Sequence, residues 1–334
     1  MKIKDIAKEL HLSVSTVSKA LNGAFDVSKE TKQMVLAYAK EHGYKSRDER
    51  LTAKTLRRLC FIFDNVNSTN QSSIIMSLGL AFSYYARKNN FEVIQTPIES
   101  ITTSYNEYMK ENNFDGAFIA GLNYKSPLLM ELKNAVYPTV LYDNVMLGDM
   151  IATIHNENIN TISKVIQLLK QHGHSKIGFI HGDKNSFVSN ERFAGYIIGQ
   201  VMNGMEYHPE YVYFGEFTEQ SGLDAADYFM HTDVTAIVCA SDLIAIGLIR
   251  GLEANGIHVP EDISVTGYDD LDISKYVKPA LTTIKQDLDL IGEKAFTLLT
   301  SILMNRSSQR IVISGELMIR DSIAPMQPRT KEQK

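Results

Sequence analysis

The chain has 334 residues, enough for two or three domains rather than one. With 44% hydrophobic residues, 22% charged and 8 prolines, its composition is that of a folded globular protein, which excludes disordered and fibrous classes. The net charge of −5 conceals an asymmetry: residues 1–58 hold 13 Lys/Arg against 7 Asp/Glu, while the remaining 276 residues hold 21 against 32. A small basic head on an acidic body fits a chain whose head alone meets a polyanion. Lys2, Lys4 and Asp5 stand where the apolar core of a signal peptide would lie, and no stretch approaches the ~20 apolar residues that span a bilayer. A cytoplasmic protein without membrane contact is therefore expected. Cys60 and Cys239 sit within apolar runs and read as reduced, buried thiols.

Ile3, Ile6, Ala7 and Leu10 recur at the spacing of one apolar helical face. His11-Leu12 makes a turn, and Ser13 is placed to cap a second helix with Val14, Val17 and Leu21 on its apolar face. Asn22-Gly23 ends that helix. Ser28 then caps a third, with Thr31, Met34, Val35 and Tyr38 inward, closing at His42-Gly43. Two short helices joined by a tight turn and braced by a third form a helix-turn-helix unit, in which the start of the second helix enters the major groove. Here that start turns hydroxyls, one valine and one lysine outward once Val17 is committed to the core. Hydroxyls at a helix N-terminus suit phosphate oxygens, Val14 a thymine methyl, Ser15 a base edge and Lys19 guanine O6 and N7. A generic three-helix bundle with a polar second helix is the alternative.

Lys4-Asp5-Ile6-Ala7, the run from Leu12 through Ser13-Val14-Ser15-Thr16-Val17-Ser18-Lys19 to Gly23, Val27-Ser28 and His42-Gly43-Tyr44 resemble the head of the lactose/galactose repressor (LacI/GalR) family. The resemblance implies base contacts from Val14, Ser15 and Lys19, and phosphate contacts around Ser13, Thr16, Ser18 and Asn22. The chain departs from the family at His11, where glycine is usual, so a residue with a side chain must take whatever backbone angle the turn needs. It departs again after Tyr44. The family's short hinge helix, whose leucine wedges into the minor groove, is matched only by Ala53-Lys54-Thr55-Leu56. Leu56 is the wedge candidate and Leu51 the second; a solvated basic linker accounts for the same residues equally well.

From Leu59 onward, short apolar runs alternate with helical segments. The expected strands are Leu59–Phe63, Phe91–Gln95, Gly116–Ala120, Thr139–Tyr142, Ile177–His181, Tyr211–Phe214, Ala236–Cys239 and Ile263–Thr266. Helical segments between them include Ile74–Lys88, Asn160–His172, Glu191–Asn203, Ser221–His231 and Leu243–Asn255. Continuous apolar strands separated by helices point to parallel sheets covered on both faces, and the length of the body points to two lobes. Ligands of such sheets bind beyond the carboxyl ends of the strands. Several of those ends are polar: Asp64-Asn65, Asp143-Asn144, Ser241-Asp242 and Tyr268-Asp269-Asp270. Carboxylates accept hydroxyl protons and Arg donates in a fixed fork, a combination that suits a polyhydroxylated ligand. Taken singly, each is ordinary loop chemistry, with Asp242 placed to cap the helix that follows.

Gly173–Gly178, Ser189–Tyr196, Ala240–Gly247, Val259–Asp270 and Pro279–Asp287 resemble the effector-binding core of the same family. The resemblance implies a periplasmic-binding-protein-like α/β body of two doubly wound parallel-sheet lobes behind the small all-α head. It implies sugar contacts from Asp143, Arg192, Phe217, Ser241, Asp269 and Gln286, and more weakly from Asp64; Gln286 is alternatively part of the crossover between lobes. It leans toward a galactoside or other plant-type saccharide. The expected domains are a head at 1–45, a hinge at 46–58 and a body at 59–334. Lobe 1 would span about 59–156 plus 288–315, and lobe 2 about 157–287 plus 316–325.

The chain carries no Gly-x-Ser-x-Gly, no phosphate-cradling glycine loop and no cysteine pair at metal spacing, so neither catalysis nor a cofactor nor a metal is expected. His172-Gly173-His174 reads as a helix end and turn. One helix-turn-helix reads half a site, so a homodimer on pseudo-palindromic operator DNA is expected. The fourteen residues after Arg320 carry no apolar heptad, so no tetramer-forming tail helix is expected. These features together describe a sugar-responsive transcriptional regulator, most simply a repressor. The alternatives are a regulator of the same family that answers to a purine, a phosphosugar or a phosphorylated carrier protein, and a sugar-binding module without DNA function.

Overall fold

A computed structural model of the chain describes residues 3–21, 27–42, 57–64, 71–146 and 148–326. Asn22, Leu51, Leu56 and Asn65 lie outside the described residues. The backbone forms two compact units, Met1–Arg57 and Arg58–Lys334.

The first unit holds α1 (Ile3–Glu9), α2 (Val14–Leu21) and α3 (Lys29–Glu41). Ile6, Ala7, Val17, Ala20, Val35 and Ala39 form its buried centre. The Ser13 hydroxyl accepts the Thr16 N–H at 2.9 Å and the Ser28 hydroxyl accepts that of Thr31 at 3.1 Å, each satisfying a donor that the first helical turn leaves orphaned. Met34, expected on an inner face, is 45% exposed, and so is Val14, which takes the outward position of its two expected roles; Ala20 and Ala39 are buried in the centre instead. His11 adopts φ 52°, the left-handed value that the turn demands.

The second unit opens with β1 (Arg57–Phe63), α4 (Gln71–Lys88), β2 (Phe91–Pro97), α5 (Tyr105–Glu111), β3 (Gly116–Ala120), α6 (Pro127–Glu131), β4 (Thr139–Tyr142) and β5 (Ile151–Asn156). It continues with α7 (Asn158–Gln171), β6 (Ile177–His181), α8 (Phe187–Met202), β7 (Val212–Phe214), α9 (Glu219–Met230), β8 (Ala236–Cys239), α10 (Asp242–Ala254) and β9 (Ser264–Thr266). Last come β10 (Thr283–Lys285), α11 (Leu288–Asn305), β11 (Arg310–Ile313) and β12 (Glu316–Met318). One sheet has the order β11-β5-β4-β3-β1-β2, the other β7-β6-β8-β9, and β10 pairs antiparallel with β12. Strands β3, β4, β5, β6 and β8 are buried along their whole length, and in β3 and β8 the sequence is accordingly apolar without alternation. In β1 the alternation is between two cores: Leu59 and Phe61 pack toward α4 and α11, while Cys60 and Ile62 pack toward α5.

Helices lie on both sheets, and glycine sets their closest approaches. A Cβ on Gly247 of α10 would stand 1.9 Å from the Glu219 carbonyl oxygen of α9. Among the described residues the chain passes between the lobes three times, at 156–158, 285–288 and 313–316. His172 ends α7, Gly173 takes φ 91°, and His174 hydrogen-bonds the Thr235 hydroxyl and the Ala324 carbonyl, a structural turn. Both cysteines are buried and free. Among the described residues no helix is long and apolar enough to cross a membrane, and no group of His, Cys, Asp and Glu could hold a metal ion.

In each sheet the strand order reverses beside the first strand of the lobe: β1 lies between β2 and β3, and β6 between β7 and β8. Crevices outside the carboxyl ends of such strands are where open α/β sheets receive ligands.

Candidate functional site

On α2 the apolar side is spent on Val17 and Ala20. Ser13, Val14, Ser15 and Lys19 are exposed, and Thr16 and Ser18 are half-buried. Ser13 is also the helix cap, with its hydroxyl 2.8 Å from that of Thr16. The outer surface of this helix start thus combines hydroxyls, one branched methyl pair and an ammonium around a positive helix end, a set suited to phosphates and base edges.

In the second unit, a cavity of about 320 Å³ lies between the lobes at the strand ends. Lobe 1 contributes Ile74 and Ile75 of α4, Gly121, Leu122 and Asn123 after β3, and Tyr142 and Asp143 at the end of β4. Lobe 2 contributes Asp183 and Ser186 after β6, Val188 and Arg192 of α8, Glu216, Phe217 and Thr218 before α9, Ser241 and Leu243 around the start of α10, and Asp269 and Leu271 after β9. Gln286, on a crossing segment, closes the floor.

That floor is one hydrogen-bonded network. Gln286 Nε2 donates to Asp269 Oδ1 at 2.6 Å, and Gln286 Oε1 accepts from the Tyr142 hydroxyl at 2.8 Å and from Asn156 Nδ2 at 2.6 Å. Arg192 is 3% exposed; its Nε donates to Asn158 Oδ1 at 3.0 Å and its Nη1 to the Ala240 carbonyl at 2.6 Å. Nη2 faces Asp269 Oδ1 at 3.8 Å, and the guanidinium lies 3.6 Å from the centre of the Tyr268 ring. Across the mouth, Asn123 Nδ2 donates to Asp183 Oδ2 at 3.3 Å and the Tyr124 N–H donates to the Asn185 carbonyl at 2.9 Å, so the two lobes touch at their rims.

Four carboxylates, Asp143, Asp183, Glu216 and Asp269, face one guanidinium on this lining. No described donor reaches the buried Asp143 Oδ1. Burial pushes the Asp143 carboxyl up to about 6, with Arg192 pulling the other way. Burial likewise raises Asp269, again opposed chiefly by Arg192. Both sit at positive φ, 54° and 123°, as does Asp270 at 52°, where Arg320 holds the carboxylate at 2.5 Å. Such backbone costs about 1–3 kcal/mol per residue and persists where surrounding structure imposes it, commonly at ligand sites.

Six of the seven residues named from sequence, Asp143, Arg192, Phe217, Ser241, Asp269 and Gln286, line this one cavity. Asp64 does not; it lines a neighbouring depression with Glu99 and Asn123. Asp242 is not the helix cap. Ser241 caps α10, and the buried Asp242 carboxylate accepts from the Leu271 N–H at 2.8 Å, from the Ser274 hydroxyl at 2.6 Å and from the Thr283 hydroxyl, fixing the loop that carries Asp269.

Residues 2–46 match the family model for bacterial regulatory proteins of the lacI family, and residues 166–323 match that for a periplasmic binding protein-like domain. The HTH-type transcriptional regulator CelR of Thermobifida fusca is 30% identical over 324 residues, covering 92% of this chain and 94% of its own length. The chain belongs to the lacI family. The HTH-type transcriptional repressor PurR of Pasteurella multocida is 28% identical over 335 residues, 96% of this chain and 98% of its own. Among solved structures, a complex of CelR with cellobiose superposes with a TM-score of 0.71 at 26% identity, covering 96% of this chain and 99% of that one. The lac repressor dimer bound to operator and the anti-inducer ONPF shares the fold, with a TM-score of 0.69 at 21% identity, covering 97% and 99%.

In this lacI-family chain, sequence reasoning passed over Asn123, Asp183 and Glu216. Each is an ordinary loop residue until two lobes close on one another. The one available signal was position, since Asn123 and Asp183 follow strand candidates within three residues.

Proposed function

We propose that the protein is a sequence-specific DNA-binding repressor whose operator affinity is set by a saccharide held between the lobes of its second unit. It acts as a homodimer in the cytoplasm and without catalysis. The observation that carries the reading is the cavity itself: six polar and aromatic residues converge on a floor where Asp143 Oδ1 lacks a donor. A ligand rich in hydroxyl donors, with C–H faces for Phe217, Ile75 and Leu243, meets that demand. End-to-end similarity to CelR, whose solved complex holds cellobiose, supports a saccharide over a purine, a phosphosugar or a carrier protein.

In this reading residues 1–45 are the reading head, 46–58 the hinge and 59–334 the sensing body. Val14, Ser15 and Lys19 read bases, Ser13, Thr16, Ser18 and Asn22 hold phosphates, and Leu56 is the minor-groove wedge. Ligand favours one interlobe angle over another, and that difference in affinity is what the head reports. The test is selection of duplexes from a random pool, followed by anisotropy titrations. Lys19→Ala should abolish the preference for the selected duplex over random duplex while saccharide affinity stays within twofold of the original. Retained preference overturns the assignment of α2.

A further inference from the structure

Resting on the saccharide reading above, we propose that the effector is an uncharged oligosaccharide of at least two rings, the second seated in the depression beside Asp64. That depression, about 420 Å³, lies on lobe 1. Asn123 lines both it and the interlobe cavity, and so forms a shared lip. Asp64 also stands against the main cavity's wall: a Cβ on Gly121 would lie 3.4 Å from Asp64 Cβ.

The depression has the two surfaces that a pyranose ring needs. Ile98, Ile101 and Leu128 give it apolar ground for a C–H face, and Asp64 and Glu99 offer carboxylate acceptors for hydroxyls. Glu131, also on its wall, is occupied in accepting the Tyr105 N–H at 2.7 Å.

Charge decides the ligand class. The interlobe cavity carries Asp143, Asp183, Glu216 and Asp269 against Arg192 alone, and the depression adds Asp64, Glu99 and Glu131 against Lys125. Arg192 is already committed to Asn158, Ala240 and the Tyr268 face, Gln286 to Asp269, and Asn123 to Asp183. A phosphate or carboxylate on the ligand would bring a further anion to walls on which carboxylates outnumber cationic groups. Hydroxyls bring donors to acceptors that lack them.

The experiment is calorimetric titration of the full chain with glucose, galactose and xylose, each alongside a β-1,4-linked disaccharide of the same unit, and with glucose 6-phosphate and glucuronic acid. For the ring that binds, the disaccharide should bind at least tenfold more tightly than the monosaccharide, and the two anions at least tenfold more weakly than glucose. Thr103 lines the depression and is exposed, so Thr103→Trp should fill the space and bring the disaccharide down to the monosaccharide's affinity. Glu99→Ala, at another exposed position, should reduce the same advantage at least threefold. Equal affinity of mono- and disaccharide, an advantage untouched by both substitutions, or tighter binding of either anion overturns this extension while leaving a saccharide in the cleft. Absence of binding by every neutral sugar overturns the saccharide reading and this extension with it.

Discussion

Asp143 concentrates the chemistry of the cleft. Its carboxyl titrates near 6 rather than 3.8 because burial penalises the charged form. A carboxyl raised in the folded state favours folding below its unfolded value, and that contribution is lost as pH rises from about 4 to about 6. Saccharide binding carries the opposite sign, since hydroxyl donors select the ionised form. Affinity should therefore fall about tenfold per carboxyl between pH 7 and pH 5, with proton release on binding near pH 6. Calorimetry in buffers of different ionisation enthalpy measures both, and tighter binding at pH 5 would refute the role of the carboxylate. His11 makes a second test. A side chain at φ 52° costs about 1–2 kcal/mol, whereas glycine there loses about 0.5–1 kcal/mol in chain entropy. His11→Gly should raise the urea midpoint of the head's unfolding transition by the equivalent of up to about 1 kcal/mol; a lowered midpoint would show that the turn is not strained. Sequence alone made the turn and the polar strand ends legible. It did not reveal that Asp143 Oδ1 would lack a donor, because that depends on where Tyr142, Asn156 and Gln286, 144 residues apart at the extremes, send their own hydrogen bonds.

Among the elements, what could be read was what is long or uniformly apolar. The runs Gly116–Ala120, Thr139–Tyr142, Ile177–His181 and Ala236–Cys239 are strands with the expected ends. Tyr211 instead belongs to a single 3-10 turn, with β7 beginning at Val212. Strands β10 and β12 have three residues each, too few for any periodicity, and β11 is a sheet-edge strand with Arg310 and Val312 exposed. Strand β5, though buried throughout, ends in His155 and Asn156, whose polarity hides it. Those residues lead into the first interlobe crossing, and His155 Nε2 accepts from Arg310 Nε at 2.8 Å, tying β5 to the edge strand β11. Helix packing gives the prediction at this scale. With its Cβ 1.9 Å from a backbone oxygen, Gly247→Ala must push α9 and α10 apart. Thermal unfolding should show a loss of about 1–3 kcal/mol. An unchanged melting temperature would contradict the close crossing, on which the positions of Phe217, Ser241 and Leu243 depend.

For the whole molecule, the charge split between head and body was visible in residue counts alone, and so was the need for two lobes. The closure of the lobes was not, because the Asn123–Asp183 and Tyr124–Asn185 bonds join residues about 60 positions apart that carry no shared pattern. Under the proposed mechanism, a ligand trapped in the cleft strengthens those rim contacts and so favours the interlobe arrangement that makes them. Coupling between cleft and head is a free energy and therefore reciprocal: if saccharide alters operator affinity by some factor, operator must alter saccharide affinity by the same factor. The most direct measurement is the saccharide dissociation constant, taken by calorimetry on the free protein and again on protein saturated with its selected duplex. The two constants should differ by about 5–150-fold, matching the factor by which saccharide changes duplex affinity. Identical constants with and without duplex would contradict the coupling.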